Sequence, residues 1–387
     1  MLEPRDREAL LRVVMALLTT PTAPYFEDGV LRVVRALASE IPGVELRSDP
    51  HGNLLAARAG RGRRTLAFSA HLDHPGFHAR LERGRPPSAV LHGGVPLANL
   101  PGARLRFHDP RDLRTVATAR VERAAKDATG AVVAELDDVR GRLRAGTFGV
   151  FDLADGVVRG TRLHARVCDD LLGAAASLVA LAILAREGHA RPVACIFTRA
   201  EETGFVGCIG LLEAGLLPAA TAVVGLECSP RRAAARVGHG PVVRVGDRLS
   251  TFDPELTGLL QDAGLRLAAR ASGFRHQRAL MDGGACESTA YNAWGVPAGG
   301  ACLALGHYHN QGARGGIAAE FVDWNDLEGL VALLVEAARA FDAPGTTAGP
   351  RQRLLQSYQR GRSLLAASTD RILGSATPQR ASHGARR

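Results

Sequence analysis

Four apolar runs in this chain are each followed at once by histidine or carboxylate residues, and that regularity limits the fold more than any other feature. After residues 65–70 (Thr-Leu-Ala-Phe-Ser-Ala) come His71 and Asp73. After 193–198 come Glu201 and Glu202, after 221–226 comes Glu227, and after 296–305 come His307 and His309. Short apolar runs bounded by turn residues read as buried strands. Helical periodicity fills 171–186, 205–214 and 253–268, and an amphipathic pattern closes the series at 323–342. Strands alternating with helices predict an α/β domain, here a mixed sheet flanked by helices. In open α/β sheets, ligand sites gather beyond the carboxyl ends of the strands. The strands therefore deliver their polar residues to one rim. Asp169-Asp170, just before the helix at 171, adds a carboxylate pair.

The rest of the chain frames this core. Helices are expected at 4–18 and 27–41, and strands at 43–48 and 53–59 joined by Asp-Pro-His-Gly-Asn, a strong turn sequence. From about 77 to 160 the texture changes to short strand-like pieces with many glycines and prolines. That stretch reads as a small β-rich domain inserted into the main one. The expected organisation is a catalytic domain in two parts, 1–76 and 161–345, the insert 77–160, and a basic tail 346–387.

Composition excludes several classes. With 387 residues, 46% hydrophobic and 22% charged, the chain can bury a sizeable core. Lys126 is the only lysine, so no Gly-Lys-Ser/Thr phosphate loop exists and a Schiff-base mechanism has one poor candidate. The net charge of +9 suggests nucleic acid, but residues 351–387 carry eight arginines against Asp370 alone. The body is close to balanced, which argues against nucleic-acid binding as the main function. Six scattered cysteines without C-x-x-C spacing make neither a zinc ribbon nor a disulfide framework. The start of the chain is charged, and the longest apolar run, 171–185, is too short for a bilayer. No membrane association and a reducing cytoplasm are expected.

The residue types at the rim suit a pair of hydrolytic metal ions. Zinc takes His nitrogen and carboxylate oxygen and keeps a position open for water in catalytic sites. One bridging carboxylate, with one His and one acid per ion, gives each ion three protein ligands. A spare carboxylate beside a ligand then serves as general base, and Glu201-Glu202 supplies one of each. Singly, each piece has a plainer reading. His-x-Asp is often a surface pair, Glu-Glu suits a helix N-terminus, and Asp169-Asp170 can cap the helix at 171. The plainer readings must explain all of these groups falling at strand ends in order. Other motifs fail: His92-Gly-Gly94 has no Gly-x-Ser-x-Gly partner, and the glycines at 238, 240 and 246 do not form a dinucleotide fingerprint. Cys168 and Cys228 read as small buried hydrophobes.

His71-Leu-Asp73-His-Pro-Gly-Phe, Cys-Asp169-Asp170-Leu-Leu-Gly173, Glu201-Glu202-Thr-Gly204-Phe-Val-Gly207 and the late His309 together resemble the M42 family of metallo-aminopeptidases, related to the M28 and M20 peptidases. The resemblance runs from about residue 5 to 345 and implies a zinc-peptidase-like fold with an inserted β-rich domain. It implies two divalent ions per chain, zinc first, with cobalt or manganese as alternatives. His71 and Glu227 would hold one ion, Glu202 and His309 the other, and Asp169 would bridge them. Glu201 would be the acid–base, and Asp73 would orient His71. His309 is chosen over His307 on its match to the family position. Two departures stand out: Glu227 replaces the usual Asp, and Leu171 replaces an Arg common after the Asp-Asp pair.

The implied activity is release of amino-terminal residues from short peptides by metal-activated water. The alternatives are an M20-type amidohydrolase or deacylase of N-acyl amino acids, and a non-enzymatic oligomeric scaffold. The resemblance also implies a homo-oligomer built from dimers, up to a dodecamer, and a cis peptide after Asp169.

Overall fold

The computed structural model describes residues 2–218, 220–342 and 350–373. Its core is an eight-stranded sheet. The strands lie in the spatial order Val44–Ser48, Leu54–Arg58, Val193–Thr198, Thr65–His71, Thr221–Pro230, Ala298–Leu305, Val242–Arg244 and Gln277–Ala279. The four strands from Val193–Thr198 to Ala298–Leu305 run parallel. Antiparallel neighbours border them at Leu54–Arg58 and Val242–Arg244. The sheet is thus mixed, with a parallel centre, and all four carboxyl ends of that centre open on one edge.

The central strands are apolar on both faces because helices cover both. Along Thr65–His71, Phe68 and Ala70 join one buried cluster with the helices Pro4–Leu18, Leu171–Arg186 and Trp324–Ala340. Ala67 points the other way and packs with Cys208, Leu211 and Tyr291 from the helices Val206–Glu213 and Glu287–Ala293. The helix Leu171–Arg186 is apolar nearly all round and is buried along almost its whole length, as a helix enclosed by sheet and other helices must be. Asp170 starts it, its Oδ1 accepting the N–H of Gly173 at 3.2 Å. The Asp169–Asp170 peptide is cis, as the resemblance implied.

A second body forms between Gly76 and Phe151. Its strands close into a barrel in the order Gly76–Arg80, Ser88–His92, Val132–Gly141, Thr115–Lys126, Arg104–His108 and Phe148–Phe151. The interior is filled by Phe77, Leu91, Leu105, Phe107, Val121, Leu136 and Phe151, so it is a packed core. The chain returns through Val157–Arg159 and Arg162–Ala165, which pair antiparallel with each other, the latter also with Glu320–Asp323.

Among the described residues no helix is long and apolar enough to cross a membrane. All six cysteines are free and buried. Of the basic tail, Pro350–Leu373 is helical and exposes Leu354, Tyr358 and Leu364. Residues 346–349 and 374–387 lie outside the described residues.

Candidate metal centre

Register brings the rim residues together. His71 ends Thr65–His71 and pairs with Thr198, the last residue of the neighbouring strand. Two residues past Thr198 the chain turns through Ala200 in the left-handed region (φ 50°), and Glu201 and Glu202 follow in a single 3-10 turn. Glu227 lies opposite Cys302 within Thr221–Pro230, which runs three residues past it instead of stopping there. His309 sits in the turn Tyr308–Asn310, beyond Ala298–Leu305. His307 does not join the cluster. Its Nδ1–H donates to Ala319 O at 2.9 Å and its ring packs edge-on against Phe321.

Asp169 occupies the centre. Its Oδ1 lies 3.7 Å from His71 Nε2, and its Oδ2 lies 3.7 Å from His309 Nε2. Side-chain donor atoms of His71, Asp169 and Glu227 all fall within 4.8 Å of one another, and so do those of Asp169, Glu202 and His309. His309 Nε2 is 3.1 Å from Glu202 Oε1, an atom that is buried and accepts no hydrogen bond from the protein. Two atoms bound tetrahedrally to one zinc at ~2.0–2.1 Å stand about 3.3 Å apart. The His–carboxylate spacings bracket that value, and the donor set is the nitrogen–oxygen set that zinc takes. These residues fit a pair of divalent ions.

The electrostatics point the same way. Burial disfavours charge on His71, yet Glu201, Asp169, Asp73 and Glu227 outweigh it and raise its pKa well above the ordinary imidazole value. His309, also opposed by burial, is pushed up to about 10 by Glu202 and Asp169. Burial, and then neighbouring carboxylates, hold Glu201 and Glu227 well above the usual carboxylate range. A buried cluster with more acids than bases draws positive charge, as protons or as cations.

Residues 131–340 match peptidase family M20/M25/M40. The chain belongs to this family. It is therefore a hydrolase of peptide-type bonds. A putative aminopeptidase of Acetivibrio thermocellus is 22% identical over 309 residues, covering 76% of this chain and 88% of that protein. Among solved structures, the aminopeptidase APDkam598 of the archaeon Desulfurococcus kamchatkensis has a TM-score of 0.71 at 21% identity, covering 88% of this chain and 97% of the other. The TET1 peptidase of Pyrococcus horikoshii, described as assembling into a tetrahedron or a large octahedral shell, has a TM-score of 0.68 at 18% identity, covering 85% and 99%. At these identities the structural likeness shows the fold.

In this M20/M25/M40 peptidase, each imidazole of the cluster is oriented through its other nitrogen. His309 Nδ1–H donates to the carbonyl of Gly94, from the loop that follows barrel strand Ser88–His92. His71 Nδ1 faces Asp73, 3.2 Å from its main-chain oxygen and 3.6 Å from its Oδ1. The Asp73 carboxylate mainly serves the opposite turn, accepting the N–H groups of Glu201 and Glu202. Glu27, fully buried, holds the same turn by accepting from Ala200 N–H at 2.9 Å and Arg199 Nε at 2.8 Å. Tyr308 stacks on His309 with ring centroids 3.8 Å apart.

Sequence reasoning missed Glu27, His74, Gly94 and Glu320. His74 lies inside the quoted His71 motif and so was within reach. Glu27 and Glu320 accept from main-chain N–H groups of distant segments, and Gly94 acts through its own main-chain carbonyl, so residue type gives no sign of these roles.

Proposed function

We propose that the protein is a dinuclear metal-dependent aminopeptidase of the M42 kind, acting on short peptides. The observation that carries this reading is Asp169, whose two carboxylate oxygens each face one histidine, each histidine with a further acid beside it. On this reading His71, Asp169 and Glu227 hold one ion, and Asp169, Glu202 and His309 the other. Zinc suits the donor set best, with cobalt or manganese as alternatives. The aminopeptidase naming of the Acetivibrio and Desulfurococcus relatives supports the substrate class.

Two such ions supply an acidified water and an electrophilic clamp for the scissile carbonyl. Glu201 stands beside the ion-holding groups, with Oε2 3.8 Å from His71 Nε2. It takes a proton as the water oxygen attacks the carbonyl carbon, and passes it to the departing amine when the C–N bond breaks. Asp73 and Glu27 keep the Glu201–Glu202 turn in place, and Gly94 fixes the ring of His309.

We also propose that residues 77–160 form an inserted domain within a main domain of 1–76 and 161–345. The Pyrococcus peptidase can assemble into a tetrahedron or a large octahedral shell, which favours a homo-oligomer built from dimers here, with the inserted domain contributing to assembly and substrate access. A cytoplasmic location is consistent with the six free cysteines.

The family match also favours a second reading, an M20-type amidohydrolase or deacylase of N-acyl amino acids, by the same chemistry. Purified protein should be given free peptides, amino-terminally acetylated peptides and N-acyl amino acids. Release of single residues from free peptides only is expected. Preferential hydrolysis of N-acyl amino acids would replace the first reading with the second.

A further inference from the structure

Glu320 begins the strand Glu320–Asp323 and is fully buried. It pairs with Ala165, which brings it under the segment leading to Asp169. Its Oε2 accepts the main-chain N–H of Cys168 at 2.7 Å and of Asp169 at 3.2 Å. Its Oε1 accepts the main-chain N–H of His309 at 2.9 Å. One carboxylate thus ties together two segments that are far apart in sequence. Both of its oxygens are engaged by backbone donors, so Glu320 is placed to hold ligands and not to be one.

The turn it holds needs holding. His307, His309 and Asn310 all lie in the left-handed region, with φ of 56°, 51° and 58°. Non-glycine residues seldom adopt that region, and three within four positions persist only where the surroundings enforce them. A second tie runs alongside. His74 Nδ1–H donates to Asp169 O at 2.9 Å, and His74 Nε2 lies 3.0 Å from Asn310 Oδ1. Asn310 Nδ2 in turn donates to Arg166 O at 2.8 Å. Glu320 and His74 therefore both connect the Asp169 segment with the His309 turn.

We propose that Glu320 is a positioning residue for one of the two ion sites, the one formed by Asp169, Glu202 and His309. This rests on the two-ion reading above. Glu320 fixes the backbone from which Asp169 and His309 project, so it sets their separation before an ion arrives. The hydrogen bonds of the Glu320 carboxylate go to Cys168, Asp169 and His309, while the strands that carry His71 and Glu227 are linked to it through Asp169, whose Oδ1 accepts the N–H of Cys228 at 3.1 Å. Loss of the tie should therefore weaken the two sites unequally.

Glutamine at 320 is nearly isosteric, but its amide NH2 would face N–H donors at one end, which breaks the link between the two segments. The test is titration of metal-free protein with cobalt(II), followed by visible absorption and by metal analysis after dialysis. The steps are assigned with His309→Ala and Glu227→Ala, each of which removes one site's own ligand. Wild-type protein should show two steps. Glu320→Gln should weaken the step missing in His309→Ala by roughly 10–100-fold, as outer partners of ligands typically do. The step missing in Glu227→Ala should change far less. If Glu320→Gln does not fold, Glu320→Asp keeps the charge but withdraws it by one methylene, and the same unequal weakening is expected. Two unchanged steps in the folded variant overturn the proposal. So does equal weakening of both with a lower metal-free melting temperature, which marks a merely structural role. A wild-type protein with one step overturns the two-ion reading and the proposal with it.

Discussion

The Asp73 carboxylate accepts the main-chain N–H of Glu201 at 3.0 Å. Its other oxygen accepts that of Glu202 at 3.1 Å, so one side chain joins the His71 strand end to the turn carrying the proposed base and a proposed ligand. Asp73→Ala should therefore lower kcat by roughly 10–100-fold through loss of that support. Steady-state kinetics on a free dipeptide check this. A variant with wild-type kcat would show that the turn holds its geometry without Asp73.

Glu201 and Glu202 are adjacent, and the proposed function gives them different work. Glu201→Gln should lower kcat by about 10²–10⁴, the usual cost of a lost acid–base, while the bound metal stays at the wild-type level. Glu202→Ala should lower both. Metal analysis beside kinetics separates the two, and a metal-depleted Glu201→Gln would reassign Glu201 as a ligand.

Gly207 supports the same turn from behind. Its N–H donates to Arg199 O at 3.0 Å and its carbonyl accepts Asn53 Nδ2 at 2.9 Å. A Cβ at Gly207 would run into that Arg199 carbonyl oxygen. Backbone cannot swing aside as a side chain can, so Gly207→Ala should cost roughly 1–3 kcal/mol. Thermal unfolding of the variant should show a lowered melting temperature and the assay a reduced rate. An unchanged melting temperature would mean that the strand end relaxes freely.

The chain's strands and long helices were legible because each carries its own periodicity: Thr65–His71 and Val193–Thr198 are unbroken apolar runs, and Trp324–Ala340 is amphipathic. Val242–Arg244 and Gln277–Ala279 were not, since a three-residue edge strand is too short to show a period. The helix Glu287–Ala293 has only seven residues and a mixed sequence. At the site, His71, Glu202 and Glu227 could be singled out because each follows or ends an apolar run. Glu320 could not, because it lies eleven residues beyond His309 and works on backbone N–H groups, which leave no trace in residue type.

The charge balance of the centre gives a pH-dependent expectation for protein prepared without metal. His309 titrates at about 10, above the ordinary 6.5, so its contribution to stability is full below pH 6.5 and fades as pH rises through about 10. Metal-free protein should lose stability over that window. Metal uptake at pH 7 to 8 must displace the His309 proton, so at least one proton per chain should be released, in a range set about the ordinary imidazole value and its raised one. Calorimetry in buffers of different ionisation enthalpy measures it. Binding without proton release would mean that His309 is neutral before the metal arrives.

On the proposed reading Asp169 would help to hold both ions. Anomalous diffraction at the zinc edge, from crystals of zinc-loaded protein, tests it most directly. Two peaks per chain are expected, one on each side of the Asp169 carboxylate, the first beside His71 and Glu227 and the second beside Glu202 and His309. A single peak, or two peaks of which neither touches Asp169, would contradict it.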